Sequence, residues 1–228
     1  MSPADQPLGT RFSSSLWEQV LPVRRAIIGH PFLTGLHDGS LPEATFRDFL
    51  EQDGHFLTFY ARALRALAVR CPDPESALHL HRDAAEALAA ERAMQTGLLA
   101  ELGPPSPAVD AIAPTTLSYG SFLVATALSG SLAEGLAAVL PCYWSYLEVG
   151  RELASRGGSP SSRYQRWIDA YVDPDYQTVV DRVRSLLDST ASALAEGERR
   201  KLEIPFRRGM VFEWMFWEAS WHRERWPL

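Results

Sequence analysis

The chain has 228 residues, with 28 aspartates and glutamates against 22 lysines and arginines, and 46% of its residues are hydrophobic. This composition is typical of a folded globular protein and excludes disorder along the whole chain. The net charge of −6 gives no basic footprint, so we expect neither nucleic acid nor a membrane as the main partner. Two cysteines are too few for a disulfide framework, and without a signal-peptide pattern we expect a cytoplasmic protein.

Apolar residues recur with helical spacing along the chain, and no segment alternates convincingly with the period of two that strands require. Two stretches, Ser40–Glu43 and Ser131–Glu134, have the spacing of a capping box, in which serine and glutamate satisfy free N–H groups at a helix start. The sequence predicts one all-α domain over residues 1–228, with a flexible start at 1–12. Its roughly eight helices are expected at about 13–28, 42–70, 74–102, 116–128, 132–156, 162–171, 175–195 and 197–222.

Two acidic residues stand on the apolar stripes of predicted helices. Asp53 lies between Phe49 and Phe56, and Glu213 occupies the same kind of position in the last helix. Burying an unpaired carboxylate costs several kcal/mol, so each must have a partner, a raised pKa or a ligand. Either residue alone is more often a structural acid. Together, on two aromatic-rich stripes, they favour a pocket.

The third feature is the segment that contains Cys142. It is apolar on all sides, which predicts a central helix, and Pro141 predicts a kink there because it cannot donate a backbone hydrogen bond. Cys142 and Tyr146 are four residues apart and so share one helix face. A buried cysteine is more often a small hydrophobic residue than a nucleophile, and the residues alone leave both interpretations open.

Four motifs together resemble the TenA/thiaminase II family, in its cysteine-bearing branch. They are Gln52-Asp53, the block LPCYWSYLEVG at 140–150, YQRWIDAY at 164–171 and EWMFW at 213–217, and the similarity extends from about 14 to 226. The resemblance implies a heme-oxygenase-like helical bundle that forms a homotetramer and needs no metal or other cofactor.

The resemblance also implies an activity. Family members hydrolyse the C–N bond at the methylene of 4-amino-5-aminomethyl-2-methylpyrimidine, or of thiamin, and release hydroxymethylpyrimidine for thiamin salvage. By position, Cys142 would be the nucleophile, Glu213 the acid/base, and Asp53 the ligand of the pyrimidine amino group and ring nitrogen. The resemblance places further substrate-binding aromatic residues at Phe56, Tyr60, Tyr119, Tyr146, Tyr171 and Phe216. The choice between the two substrates stays open.

Two departures from the family pattern bear on that choice. Phe56, in Gly54-His55-Phe56, lacks the hydroxyl that the family usually has there. Glu91 resembles the family, whereas Gln95 stands where a histidine is common. Both changes concern the preferred leaving group more than the chemistry of the ring.

Two other classes of function remain as alternatives. The heme-oxygenase-like scaffold also hosts metal-dependent oxidases, and Glu51/His55 and Glu218/His222 are pairs at the spacing of one helix turn. These pairs are more simply interpreted as surface ion pairs. The second alternative is a non-catalytic, regulatory protein that binds a pyrimidine, although such a protein has no use for a nucleophile.

Overall fold

The computed structural model describes residues 11–102 and 112–227, apart from the side chains of residues 91, 92 and 94–96. This part of the chain is all α, as predicted, and contains twelve helices and no strand. The helices are α1 (Phe12–Gln19), α2 (Leu21–Ile28), α3 (Pro31–Asp38), α4 (Glu43–Arg70), α5 (Pro74–Thr96), α6 (Leu98–Glu101), α7 (Pro114–Ser129), α8 (Leu132–Ser155), α9 (Ser162–Val172), α10 (Pro174–Ser192), α11 (Glu196–Lys201) and α12 (Glu203–His222).

Prolines account for much of the difference between the roughly eight predicted helices and the observed set. The segment 13–28 divides at Val20 because Pro22, without an N–H, suits the first turn of a new helix. Pro205 occupies the first turn of α12 and separates it from α11 in the same way. Pro31 starts α3, which the sequence analysis did not predict, and the side chain of His30 accepts the Phe32 N–H at 3.1 Å.

One of the two predicted capping boxes forms. Ser131 accepts the N–H of Glu134, whose carboxylate accepts the N–H of Ser131, at the start of α8. The box predicted at Ser40 is wrong, because the cap position of α4 is Pro42, which has no side-chain acceptor. The N–H of Ser40 donates instead to the carboxylate of Asp38, in the turn that ends α3.

The helices pack so that α4, α8 and α12 carry the candidate site. α4 packs against α5 and α7, and α8 packs against α9, α10 and α12. The close approach of α12 to α8 requires Gly209, where a Cβ atom would lie 2.7 Å from Pro141 and 2.9 Å from the Ala138 carbonyl. This contact brings Glu213, one turn further along α12, towards the turn of α8 that holds Cys142.

None of the described helices combines the length and the apolar character that crossing a membrane requires.

Candidate active site

A cavity of about 350 Å³ opens between α4, α5, α6, α8, α9 and α10. Five of the predicted site residues line it: Asp53, Tyr60, Cys142, Tyr146 and Tyr171. Most of the other residues that line it are apolar or aromatic. They include Leu57, Ala87, Ala90, Leu98, Tyr143, Trp167, Ala170, Tyr176 and Val179, with Asp83, Glu86 and Arg166 as the charged members.

Asp53 presents a buried carboxyl group to the cavity. The residue is 5% exposed, and no described residue makes a hydrogen bond or ion pair with its carboxyl group. Burial raises the pKa of Asp53 to about 7, since the charged form has lost its water. The carboxyl group can therefore gain or lose a proton near neutral pH, and its oxygens are available to a ligand.

Glu213 lies behind the cavity wall rather than in it. It is 2% exposed, and its carboxylate accepts a hydrogen bond from the Tyr119 hydroxyl at 2.5 Å. Burial raises the pKa of Glu213 to about 7, while the hydroxyl groups of Tyr119 and Ser145 act in the opposite direction and the charge of Asp53 adds to the rise. The site thus contains two carboxyl groups that titrate near neutrality.

Cys142 is a free, partly exposed cysteine on the cavity wall. Burial raises the pKa of its thiol well above the ordinary value, and the negative charges of Glu213 and Asp53 raise it further. The nearby Tyr60 hydroxyl acts in the opposite direction, but its effect on the pKa is smaller. At neutral pH the group is a thiol, so it needs a nearby proton acceptor before it can act as a nucleophile.

The remaining predicted residues form an aromatic layer beside Glu213. The ring of Phe56 lies 4.7 Å from that of Tyr119, 5.6 Å from Tyr60 and 5.7 Å from Phe216, measured between centroids. Phe56, Tyr119 and Phe216 are buried but, like Glu213, do not line the cavity. The structure thus brings the nine predicted residues together, five on the cavity surface and four directly behind it.

Other residues of the cavity wall were not predicted from the sequence. Trp167 and Tyr143 stand inside the motifs at 164–171 and 140–150, so the motifs themselves were the available signal. Asp83 is 5% exposed and lies on the face of α5 that buries Leu80 and Ala84. Like Asp53, it stands on an apolar face of its helix, but the many charged residues of α5 make that face hard to recognise in the sequence.

The pairs considered for a metal site are engaged in ion pairs. Glu51 binds Arg47 at 2.9 Å and is more buried than a surface pair would be, whereas Glu218 binds His222 and also His30, at 3.2 and 2.9 Å. Within the described ranges, no three His, Cys, Asp or Glu side chains are grouped so that they could hold a metal ion. The side chains of Glu91 and Gln95 lie outside the described part of the structure.

Comparisons with known proteins identify the family of the chain. The family model of TENA/THI-4/PQQC matches residues 17–223. Aminopyrimidine aminohydrolase of Halalkalibacterium halodurans is 33% identical over 94% of this chain and 97% of its own. The structure of a TenA homologue from P. horikoshii OT3 has a TM-score of 0.84 and 28% identity, and the match covers 93% of this chain and 99% of that one.

A more distant structure bears on the fold alone. A domain from Shewanella denitrificans, described as having a heme oxygenase-like fold, matches with a TM-score of 0.69 and 15% identity over 92% of both chains. The predicted fold and the resemblance drawn from the four motifs are therefore confirmed, and the chain belongs to the TENA/THI-4/PQQC family.

Proposed function

We propose that the protein is an aminopyrimidine aminohydrolase, a hydrolase that acts on the C–N bond at the methylene of an aminopyrimidine and releases hydroxymethylpyrimidine. The name of the relative in Halalkalibacterium halodurans supports this activity. The observation that carries the proposal is the cavity itself: it combines a free cysteine with a buried carboxyl group that has no partner among the described residues. The side chain of Asp53 is left for a ligand with complementary polar groups.

The cavity suits a flat heteroaromatic ring. Tyr146 and Tyr171 stand 4.9 Å apart between centroids, and Trp167 contacts both, so the walls offer aromatic faces and edges for the ring. An aminopyrimidine edge presents one donor, the amino group, beside one acceptor, the ring nitrogen. Asp53, with a pKa of about 7, complements that edge when one proton is shared between carboxyl group and ring.

The proposed reaction passes through addition of Cys142 to the pyrimidine. The thiol transfers its proton to the Glu213 carboxylate, the thiolate adds to a ring carbon, and the ring nitrogen takes a proton from Asp53. The electron pair of the ring then expels the amine from the exocyclic methylene, and Glu213 returns a proton to it. Water adds to the methylene and gives one proton to Glu213. Expulsion of the thiolate and return of the ring nitrogen's proton to Asp53 restore the aromatic ring, and Glu213 passes its proton to the sulfur, which restores the thiol.

A turnover assay tests this proposal. Purified protein is incubated with 4-amino-5-aminomethyl-2-methylpyrimidine or with thiamin, and the release of ammonia or of the thiazole is measured beside hydroxymethylpyrimidine. The proposal expects stoichiometric ammonia and hydroxymethylpyrimidine, abolished in Cys142→Ser. Binding of the pyrimidine without release of either product would instead identify a non-catalytic binding protein.

We infer further that the chain forms a homotetramer in the cytoplasm. The exposed side of α7 supports an assembly, because Leu128 is 64% exposed and stands with Val124 and Phe59 around a shallow groove. Exposed apolar side chains of this kind favour contact with another protein surface. Light scattering of the eluting protein gives the mass of the assembly, and any mass other than that of four chains would contradict this inference. Fractionation of cells that express the chain tests the compartment.

A further inference from the structure

A buried carboxylate outside the proposed catalytic set joins three helices at the cavity wall. Asp83 on α5 accepts a hydrogen bond from the Tyr143 hydroxyl at 2.9 Å with one oxygen. Its other oxygen accepts from the guanidinium of Arg182, on α10, at 2.7 Å. Both oxygens of Asp83 are therefore engaged by the protein, in contrast to those of Asp53, and the group is bound in place rather than left for a ligand.

The residue that Asp83 holds is the direct neighbour of the cysteine. The Tyr143 ring packs edge-on against that of Tyr60, with 5.4 Å between centroids. Tyr60 in turn donates its hydroxyl to the carbonyl of Val139 at 3.1 Å, and Tyr176 donates to the carbonyl of Tyr143 at 3.1 Å. Three tyrosines thus surround the turn of α8 that carries the thiol.

This turn of α8 requires such support because it contains Pro141. A proline has no N–H, so one hydrogen bond of the helix ladder is missing directly before Cys142. The ladder bond that is missing is the one to the carbonyl of Ala137. The carbonyls of Val139 and Tyr143, on both sides of the proline, accept additional hydrogen bonds from tyrosine hydroxyls on α4 and α10. The position of the sulfur is consequently set by packing from neighbouring helices as well as by the helix itself.

We propose that Asp83 is a positioning residue for Cys142, acting through Tyr143 and Tyr60, and this inference rests on the proposed function for its catalytic consequence. A nucleophile must meet its target carbon within a narrow range of distance and angle, and a misplacement of about 1 Å lowers a rate by about 100-fold. Asp83 keeps Tyr143 against Tyr60, and the Tyr60 hydroxyl holds the Val139 carbonyl in the turn that leads to the sulfur. Loss of Asp83 should therefore displace the thiol but leave Asp53, the proposed ligand of the pyrimidine edge, unchanged.

The pKa of the Cys142 thiol distinguishes a positioning role of Asp83 from a purely electrostatic one, because the two roles shift this pKa in opposite directions. Removing a negative charge near a thiol lowers its pKa, whereas displacing the nearby Tyr60 hydroxyl, whose presence acts against the rise, allows the pKa to increase further. Asp83 itself faces Arg182, Tyr143 and Glu86. The titratable groups that face the thiol are Asp53 and Tyr60 on α4, Tyr119 on α7, Tyr143 and Tyr146 on α8, Tyr171 on α9, Tyr176 on α10 and Glu213 on α12.

The experiment compares Asp83→Asn, Tyr143→Phe and the double variant with the parent protein. Alkylation of Cys142 by iodoacetamide is followed across pH, with peptide mass spectrometry to distinguish it from Cys71. We expect the midpoint of the alkylation profile to move to higher pH and the rate at pH 8 to fall about threefold to tenfold, the effect of one weakened hydrogen bond. We expect kcat to fall about tenfold or more while KM stays within about twofold.

The double variant tests the path. If Asp83 acts through Tyr143, the double variant is no slower than the slower single variant. If the two residues act independently, the rate losses of the single variants multiply. Asp48→Asn is the matched control, a buried aspartate paired with Arg225, and it should lower stability without moving the alkylation profile. Tyr143→Phe leaves the Asp83–Arg182 pair intact. If Asp83→Asn does not fold, this variant alone tests whether the Asp83–Tyr143 hydrogen bond positions Cys142.

Each remaining outcome has one meaning. An alkylation midpoint that stays in place or moves to lower pH, or multiplicative effects in the double variant, would overturn the positioning role. A higher KM with unchanged kcat would overturn it as well, since Asp83 would then contact the substrate. If the parent protein releases no ammonia but the alkylation profiles shift as expected, the proposed function fails and the positioning of Cys142 stands.

Discussion

Replacing Asp53 by asparagine should stabilise the protein at alkaline pH while it damages the site. The carboxyl group is 5% exposed and has no partner among the described residues, so its charged form is disfavoured in the folded state. In the unfolded chain the same group ionises at its ordinary pKa of 3.8, whereas burial raises its pKa in the folded protein to about 7. The stability of the parent protein is therefore highest below the unfolded pKa and falls as pH rises through the folded one.

The size of this effect follows from the two pKa values. Each pH unit between them corresponds to about 1.4 kcal/mol, so the ionised group costs the folded protein about 4 kcal/mol at pH 8. Between pH 5 and pH 8 the cost grows by about 2–3 kcal/mol. An asparagine at 53 buries an amide at a cost of about 1–3 kcal/mol, and that cost does not depend on pH.

Urea denaturation at pH 5 and pH 8 measures the prediction. We expect the free energy of unfolding of Asp53→Asn, relative to the parent protein, to increase by about 2–3 kcal/mol from pH 5 to pH 8. Asp48→Asn provides the matched control on the same helix, because it breaks the buried pair with Arg225 and should destabilise at both pH values. A relative stability of Asp53→Asn that does not change between pH 5 and pH 8 would refute the reasoning. The same variant should bind hydroxymethylpyrimidine about 10- to 100-fold more weakly by calorimetry.

Three further predictions concern catalysis. Cys142→Ser should lose most of the hydrolytic rate and still bind the pyrimidine, and near-normal turnover would remove Cys142 from the mechanism. Tyr119→Phe removes the hydroxyl that favours the ionised form of Glu213. The limb of the pH–rate profile that reports Glu213 should therefore move about one unit to higher pH. A limb that stays in place would show that it reports a different group. Because the cavity measures about 350 Å³ and is lined mostly by apolar and aromatic side chains, it favours the small amine over the thiazole, and kcat/KM for the aminomethyl-pyrimidine should exceed that for thiamin by at least about tenfold. Equal values at one pH would identify a thiamin-degrading enzyme.

Helical periodicity was enough to predict the class of fold and the burial of both carboxyl groups. Asp53 and Glu213 stand at stripe positions, and a residue on such a stripe is buried whatever its charge, because the neighbours on its face are apolar. Local rules succeeded where the whole signal is local, as in the capping box at Ser131. They failed at Ser40, where the turn that ends α3 binds the N–H of serine to Asp38 before α4 begins.

The tertiary arrangement of the site was beyond these rules. Whether a residue lies on the cavity surface or in the layer behind it depends on how α7 and α12 are rotated against α4 and α8. The periodicity of the sequence carries no information about this rotation. Glu213 was predicted as the acid/base, and the structure places its carboxylate against Tyr119, in the layer directly behind the cavity surface. Asp83 was missed because a helix with several charges on several faces hides one charge that is buried.

The electrostatics of the cavity bear on how the cysteine becomes active. Burial, together with the negative charges of Glu213 and Asp53, raises the pKa of the Cys142 thiol and so holds the sulfur in its unreactive form. With the proposed substrate bound, Asp53 shares a proton with the pyrimidine edge and no longer adds negative charge beside the sulfur. The hydroxyl groups of Tyr119 and Ser145 favour the ionised form of Glu213, which keeps it able to accept the thiol proton. The buried carboxyl group of Asp53, whose ionisation destabilises the folded protein, is thus the group through which a bound pyrimidine promotes its own attack by cysteine.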